Sequence, residues 1–548
     1  MPQKLRPFRT RRRRQLRLAL AVACLSLALL PFPGGTTQAD SAELFTFDEL
    51  SQLYEEDQPS ASLREKLQTI LSTPFVSNAA TERGVRPLKP TSRELGRYLR
   101  VAQWNIERGL EFEAIRAAFT DKRHFAQIVN REKYAHGTEA GARMLREATL
   151  LKAADVIVIN EVDWGMKRTG YRHIAADLAA ALNMNYAYGV EFVEIDPLLL
   201  GTEDFEGAGE KDRTELESHI KVDPARYKGL HGTAILSRYK LENVRLVPFK
   251  FQGHDWYADE KKGTSPIEFG KRALGEKIFL EKVTREIRRG GRMMLVAEIS
   301  DPDLPTGRAV IVATHLEART APKNRVKQLE EVLAYIRSIE HPVILAGDMN
   351  TSTSDQTPTS LKREIKKRLG DERFWIEQGI KYATGVGLVL DVVKGGLGFS
   401  RTHADPTVRS IKFIAENPEA KFFETLKDFR FTDGGAFDFR GERARSANGR
   451  GGNLANSNER AGKGFQTTYA VDRTIGPTGK LKLDWIFVKP PALTDPEAHR
   501  QPYRFAPHFG RALSDLNNSL KDRISDHVPI TVDLPFEEPH IRARRAKD

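Results

Sequence analysis

The chain has 548 residues, of which 29% are charged and 40% are hydrophobic, so it is long enough to bury a large core. It contains one cysteine, which excludes a disulfide framework. The formal net charge is +12, but the first 39 residues hold 8 of the 86 basic residues and no acidic residue. The remainder carries 78 basic and 74 acidic residues, a net charge of +4. Charge alone therefore does not indicate a protein that binds nucleic acid or a membrane surface.

The N-terminal segment has the features of a signal peptide. A basic stretch, Lys4–Arg17, precedes an apolar run of 13 residues, Leu18–Leu30, which is too short to span a membrane comfortably. Thr37-Gln38-Ala39 fits a small-x-Ala cleavage site before Asp40. We therefore expect residues 1–39 to be removed, leaving a periplasmic or secreted protein with no stable membrane span. The alternative is an uncleaved leader that anchors the protein in a membrane.

Helical and strand patterns alternate along the rest of the chain. Residues 40–97 form a lead-in, with a short amphipathic helix expected near Ser62–Leu71 and a loop at Pro87–Pro90. Further helices are predicted at Ala140–Ala154 and His173–Leu182, and between two later strands by the apolar face Val326, Leu329, Leu333 and Ile336. This alternation, with antiparallel pieces, favours an α/β fold in which helices wrap a two-sheet core.

Six segments share one pattern, in which an apolar or β-branched run contains or ends in an acidic, amide or imidazole side chain. They are residues 101–107, 156–161, 310–315, 343–350, 483–488 and 525–530. In one of them, four apolar residues predict a buried strand that leads to Asp348 and Asn350. Because alternate strand residues face opposite ways, these two side chains should point to the same side, as should Asn105 and Glu107. Six such sets indicate a site for a metal and a phosphate.

The order of these motifs resembles that of the endonuclease/exonuclease/phosphatase superfamily. The motifs are Trp104-Asn105-Ile106-Glu107, Glu161 at a strand end, Gly232 to Arg238, Thr314-His315-Leu316, Gly347-Asp348-Met349-Asn350, Leu483 to Ile486 and Ser525-Asp526-His527. The resemblance covers roughly residues 98–535. It implies an α/β four-layer sandwich of two packed mixed β-sheets flanked by helices. Here the sandwich carries insertions at about 195–229, 252–291 and 391–466, and a basic tail follows at 536–548.

The resemblance also implies catalytic roles. His527 is expected to act as the base or the phosphate-polarising group, with Asp484 as the carboxylate that orients it. Asp348 would align the attacking water or protonate the leaving oxygen. His315 would clamp a phosphate oxygen or act as the acid for the leaving group.

Three further residues are expected to contact the phosphate. Asn350 and Asn105 are placed there by the resemblance, and Arg168 fits a pattern of bacterial members. The alternative for Arg168 is an ion pair with Asp163. Thr233 departs from the family, which commonly has Asn or His at that position.

The implied metal ligands are Glu161, Glu107 and Asp526, all of which offer oxygen atoms suited to Mg²⁺ or Mn²⁺. For Glu161 the structural alternative is a salt bridge to Arg168. Glu107 stands where family nucleases often have an aspartate. Of the remaining histidines, such as His124, His173, His219 and His403, we expect only surface or core roles.

The combined prediction is a monomeric, Mg²⁺-dependent hydrolase of phosphoester bonds. The sequence does not distinguish between three substrate classes, which are nucleic acid, a phospholipid head group and a small phosphoester. The alternative is a catalytically silent relative that binds a phosphorylated ligand or a protein. The Gly-, Arg- and Asn-rich stretch Gly434–Gly464 is interpreted either as a mobile surface loop or as a basic arm over the site.

Overall fold

The structure is a computed structural model that describes most of the chain after the predicted leader. The described residues are 43–120, 122–202, 221–261, 286–351, 410–411, 414–417, 419–451, 458–461, 464–475 and 478–540. The predicted signal peptide, His219, His403 and the last eight residues of the basic tail lie outside them, as do residues 203–220, 262–285 and 391–409 of the predicted insertions. Every described residue belongs to one unit, Ser41–Asp548.

Most described helices lie in the lead-in and in the connections between strands. They are α1 (Phe47–Glu55), α2 (Ala61–Ser72), α3 (Ala79–Glu82), α4 (Phe112–Thr120), α5 (Lys122–Ile128), α6 (Glu139–Lys152), α7 (Ile174–Leu182), α8 (Pro197–Leu200), α9 (Ala258–Lys261), α10 (Pro322–Ile336), α11 (Ala420–Asp428) and α12 (Ser514–Asn517). The four helix predictions are confirmed by α2, α6, α7 and α10, and residues 87–90 form a loop. None of the described helices has both the length and the apolar character needed to cross a membrane.

The described strands form two large sheets and two hairpins. They are β1 (Phe75–Ser77), β2 (Thr91–Ser92), β3 (Gly96–Arg108), β4 (Val156–Trp164), β5 (Asn185–Glu194), β6 (Leu230–Ser237), β7 (Glu242–Pro248), β8 (Arg288–Gly290), β9 (Met293–Ser300), β10 (Arg308–His315), β11 (Val343–Asp348), β12 (Ser410–Ile411), β13 (Ile414–Glu416), β14 (Tyr469–Ile475), β15 (Thr478–Leu481), β16 (Asp484–Lys489), β17 (His508–Ala512) and β18 (Ile530–Pro535).

Both large sheets are mixed. The nine-stranded sheet has the order β1-β5-β6-β4-β3-β18-β17, with β2 added to β3 and β8 added to β5. The five-stranded sheet has the order β16-β11-β10-β9-β7. The pairs β3–β4 and β10–β11 are parallel, and their neighbours are antiparallel. The short pairs β12–β13 and β14–β15 each form a two-stranded sheet.

Alternation along the strands divides the core into three apolar layers. Val156 and Val158 of β4 pack between the sheets, whereas Ile157 and Ile159 pack under the helices of the first face. In the five-stranded sheet, successive residues of each strand also face opposite layers. Ile311, Ile344 and Ile486 point between the sheets, and Val310, Val312, Val343 and Leu345 point towards α10 and α11. The layers are therefore helix, sheet, sheet and helix, which confirms the predicted four-layer sandwich.

The interpretation of Gly434–Gly464 as a mobile loop is wrong for residues 436–446. Phe437 and Phe439 are buried in the layer under α10 and α11. The backbone N–H of Asp438 donates to the carbonyl of Val488 in β16, and the Asp438 carboxylate pairs with the buried Arg440 and Arg445. The segment is anchored because its apolar and charged side chains both have partners. These two arginines therefore do not form a basic arm over the site.

Candidate functional site

The predicted polar side chains converge at one end of the space between the sheets. On five strands, every second residue faces the space between the sheets. Most of these residues are apolar, but those at one end of the strand are polar. These inward positions are Gln103 and Asn105 on β3, Asn160 on β4, His315 on β10, Asp348 on β11 and Asp484 on β16. All of them are buried. The site is thus the polar end of the layer that joins the two sheets.

Irregular backbone shapes this end of the sandwich. Glu107, Arg108, Glu161 and Asn350 have positive φ angles of 47°, 65°, 53° and 46°. The pairing of β3 with β4 shifts between Asn105 and Arg108, and that of β4 with β6 shifts between Ile159 and Val162. Such bulges re-aim side chains, and strained backbone of this kind concentrates at functional sites.

We predicted that Asp348 and Asn350 share one face of a strand, and that Asn105 and Glu107 do. Regular strand geometry does not hold at either pair. Asn350 lies beyond the last residue of β11, and Glu107 follows the bulge. Contact is nevertheless kept, because each residue bonds back to its neighbour. The N–H of Asn350 donates to Asp348 Oδ1 at 2.9 Å, and the N–H of Glu107 donates to Asn105 Oδ1 at 3.1 Å. The Asn350 side chain donates to the carbonyl of Leu316 at 2.9 Å.

Asp484 and His527 form a buried hydrogen-bonded pair. His527 Nδ1 lies 2.8 Å from Asp484 Oδ2, and Asp484 Oδ1 accepts from Gln103 Nε2 at 2.9 Å. The Thr468 hydroxyl accepts from the backbone N–H of Asp484. Burial lowers the pKa of His527, but the carboxylates of Asp484 and Asp348 outweigh it and hold this pKa well above its usual value. His527 is therefore favoured as an imidazolium.

Asp348 lies on the other side of His527. Its Oδ2 is 3.6 Å from His527 Nε2 and 3.6 Å from His315 Nε2, and it accepts from Asn105 Nδ2 at 3.1 Å. Burial, reinforced by the charge of Asp484, raises the pKa of Asp348 to about 7 although His527 opposes the shift. A carboxylate with such a pKa can exchange a proton near neutral pH.

A second group of oxygen atoms surrounds Asn105. Its Nδ2 donates to Glu161 Oε1 at 3.0 Å, and Glu107 Oε2 accepts from the backbone N–H of Asp526 at 3.0 Å. Within the described chain, no donor contacts the Asp526 carboxylate. Burial and the charge of Glu161 raise the pKa of Asp526 to about 6 although His527 lowers it. Mutually repelling carboxylates with an amide oxygen beside them fit a hard divalent cation.

Carboxylates occupy the guanidinium of Arg168. Its guanidinium donates to both oxygens of Asp163, at 2.6 and 3.0 Å, and to Glu194 at 2.8 Å. Nδ1 of His231 lies 2.9 Å from Oδ1 of the same Asp163 carboxylate. Of the two predicted alternatives for Arg168, the ion pair with Asp163 is the one observed. The proposed salt bridge between Arg168 and Glu161 is wrong.

One set of three residues has the spacing of a metal site. Ligand atoms of Asp348, Asp484 and His527 all lie within 4.8 Å of one another, so this buried group could bind a metal. The 2.8 Å contact between His527 Nδ1 and Asp484 is, however, a hydrogen bond that occupies one atom of each residue. We therefore call Asp348, Asp484 and His527 the proton-sharing set.

Several residues that complete the site were missed in the sequence. Gln103 bridges Asp484 and Asn160, and Asn160 Oδ1 accepts from the backbone N–H of Asp348 at 2.9 Å. Both occupy inward positions of strands already recognised, so alternation could have found them. Thr468 and Arg292 carry no comparable signal, because their contacts with Asp484 and His315 depend on the tertiary fold.

The chain is similar to several known proteins. The model of the endonuclease/exonuclease/phosphatase family matches residues 102–527. Similar solved structures include an endonuclease/exonuclease/phosphatase from Beutenbergia cavernae DSM 12333 (16% identity, 80% of this chain and 71% of that chain, TM-score 0.34). Others are the human Nocturnin catalytic domain with bound sulfate (12% identity, 80% and 92%, TM-score 0.33) and D. rerio TDP2 complexed with single-strand DNA product (12%, 80% and 98%, TM-score 0.31). No curated protein matches the chain. Because the family model spans most of the sequence, the chain belongs to the endonuclease/exonuclease/phosphatase family and has a fold of the phosphoester-hydrolase type.

Proposed function

We propose that the protein is a metal-dependent hydrolase of phosphoester bonds that acts by in-line attack of water. The observation that carries this proposal is the placement of two complementary groups at one end of the sandwich. The proton-sharing set of Asp348, Asp484 and His527 lies beside the carboxylates around Asn105. The proton-sharing set can accept and donate protons, and the carboxylates can bind a cation that neutralises the charge of a phosphate.

Glu161 and Asp526, with Glu107, would hold a divalent cation such as Mg²⁺ or Mn²⁺. When bound, the cation neutralises phosphate charge and favours ionisation of the attacking water. Asn105 supports this position because its amide group donates to both Glu161 and Asp348. The amide thereby fixes the spacing between the cation-binding carboxylate and the proton-sharing set.

His527 and Asp348 have different roles in the proposed reaction. Asp484 keeps His527 oriented and cationic, so that its Nε2–H can donate to a phosphoryl oxygen. Asp348 has the pKa near 7 that suits a group taking a proton from water and returning it later. Asn350, whose backbone donates to Asp348, is the adjacent phosphate contact that we retain from the family motif.

We further propose a substrate with one or a few phosphates rather than a long polyanion. Three arginines near the site are neutralised by carboxylates. Arg108 pairs with Glu286, Arg168 with Asp163 and Glu194, and Arg292 with Glu191 and Glu317. A groove for several nucleic acid phosphates relies on basic side chains available to the ligand. We also propose that the protein is periplasmic or secreted and monomeric, the first on the basis of residues 1–39.

The experiment compares the purified protein with the double variant Asp348→Asn/His527→Ala. Both are assayed with Mg²⁺, Mn²⁺ or a chelator on a chromogenic phosphodiester, a phosphomonoester, plasmid DNA and sphingomyelin vesicles. We expect turnover of a small ester that is lost in the variant and in chelator. Activity that persists in the double variant would contradict the proposal. Preference for plasmid DNA would overturn the substrate class, and binding without turnover would favour a silent relative.

A further inference from the structure

The contact between Arg292 and His315 fixes which nitrogen of His315 carries the proton. Arg292 Nη1 lies 2.8 Å from His315 Nδ1, and both side chains are buried. A guanidinium can only donate hydrogen bonds. Nδ1 must therefore be the acceptor, and the proton of the neutral ring is on Nε2.

Arg292 cannot readily turn away from this contact. Its Nη1 also donates to Glu191 at 2.6 Å, and its Nε donates to Glu317 at 3.3 Å. Glu317 in turn accepts from the indole N–H of Trp256 at 2.9 Å. Two buried carboxylates therefore hold the guanidinium in place, and breaking such a pairing is costly.

The other nitrogen of His315 faces the site. Nε2 is buried and has no hydrogen-bond partner among the described residues, and it lies 3.6 Å from Asp348 Oδ2. A buried N–H without an acceptor is unfavourable. An oxygen atom of a bound ligand next to Asp348 would satisfy it.

We propose that His315 is a neutral hydrogen-bond donor to a phosphoryl oxygen, and that Arg292 is the positioning residue that imposes this role. The inference rests on the proposed function and chooses between the two roles expected of His315. Protonated His315 would have an Nδ1–H pointing at the guanidinium, with two positive charges in contact. His315 therefore does not deliver a proton to the leaving oxygen.

Two substitutions of His315 separate these roles. The side-chain amide of glutamine can place an N–H where Nε2 was, whereas asparagine places its amide near Nδ1. Since a lost donor to a developing oxyanion costs at least an order of magnitude in rate, we expect His315→Gln to keep a kcat/KM about tenfold or more above that of His315→Asn. Equal, deep losses in both variants would show that proton transfer is required and would overturn the inference. An inactive wild-type protein would instead count against the proposed function.

The tautomer can be measured without any assay of activity. Nitrogen NMR of the histidine-labelled full chain, with His315 identified by its absence in His315→Gln, reports the protonation of each ring nitrogen. We expect Nε2 protonated and Nδ1 unprotonated at neutral pH. A protonated Nδ1, alone or in an imidazolium, would overturn the role assigned to Arg292. Arg292→Lys keeps a donor and should preserve the tautomer, whereas Arg292→Gln should mix the two neutral forms.

Discussion

Asp484 and His527 form a hydrogen bond of 2.8 Å between the two sheets of the sandwich. Asp484 begins β16 of the five-stranded sheet, whereas His527 lies just before β18 of the nine-stranded sheet. Gln103 of β3 donates to the same carboxylate at 2.9 Å, so a second connection crosses the same gap. The pair therefore exists only when the two sheets are packed together.

Replacing the carboxylate of this pair should nearly abolish turnover. Asp484→Asn removes the charge that raises the pKa of His527 and can offer an N–H where Nδ1 needs an acceptor. We expect kcat to fall about 100-fold or more, as in other carboxylate–histidine pairs. Steady-state kinetics on the small-ester substrate measures this loss. The exposed Asp428→Asn, at the end of α11, serves as the control and should retain full activity.

Removing the Glu161 carboxylate should abolish the response to metal. In Glu161→Gln, thermal unfolding without metal should resemble that of the wild type, because the neighbouring Asn105 can still bond an amide oxygen. Wild-type protein should gain about 3 kcal/mol at a metal concentration about 100 times its Kd, and the variant should gain little. Calorimetric scans with and without Mg²⁺ check this. An equal gain in both proteins would remove Glu161 from the metal site.

Gly347 is required by the close approach of β10 and β11. It has a φ of 152°, and a Cβ there would lie 1.8 Å from the carbonyl oxygen of Thr314, directly before His315. Gly347→Ala should therefore cost about 3 kcal/mol or more, or prevent folding. Gly307 has a φ of 73° but open space around it, so Gly307→Ala should cost only about 1 kcal/mol. Urea unfolding of both variants compares them; equal costs would contradict the steric argument.

The anchored segment around Arg445 should contribute stability that depends on pH. Glu442 accepts from Arg445 at 2.9 Å and also contacts Tyr503 and His499. Burial opposes ionisation, but these partners lower the pKa of Glu442 to about 2, below the usual 4.5. Its contribution is therefore fully present above pH 4.5 and disappears as the pH falls towards 2.

Glu442→Gln should accordingly lose on the order of 2 kcal/mol at neutral pH. The difference from wild type should shrink between pH 4.5 and 2. Urea titrations at several pH values measure it, with the exposed Glu330→Gln of α10 as the control. A difference that stays constant into acid would show that the ionisation of Glu442 is not the source of the lost stability.

Regular alternation explains what could be predicted from the sequence. The family motifs predicted that Asp348 and Asp484 belong to one site. Alternation accounts for their inner positions on β11 and β16, next to apolar residues that also face inward. Alternation fails where the backbone bulges, which is why Glu107 and Asn350 are oriented by local hydrogen bonds instead. Contacts such as that of Arg292 with His315 depend on distant segments and have no sequence pattern.

The position of the Asp484–His527 pair across the gap has a consequence for folding. A refolding chain could complete the hydrogen bonds of each sheet separately and still lack this pair. Recovery of turnover would then lag behind recovery of the far-ultraviolet circular dichroism signal, because only docking of the sheets brings the two residues together. The return of catalytic activity would thus mark the docking of the two sheets as the last step in the folding of the sandwich.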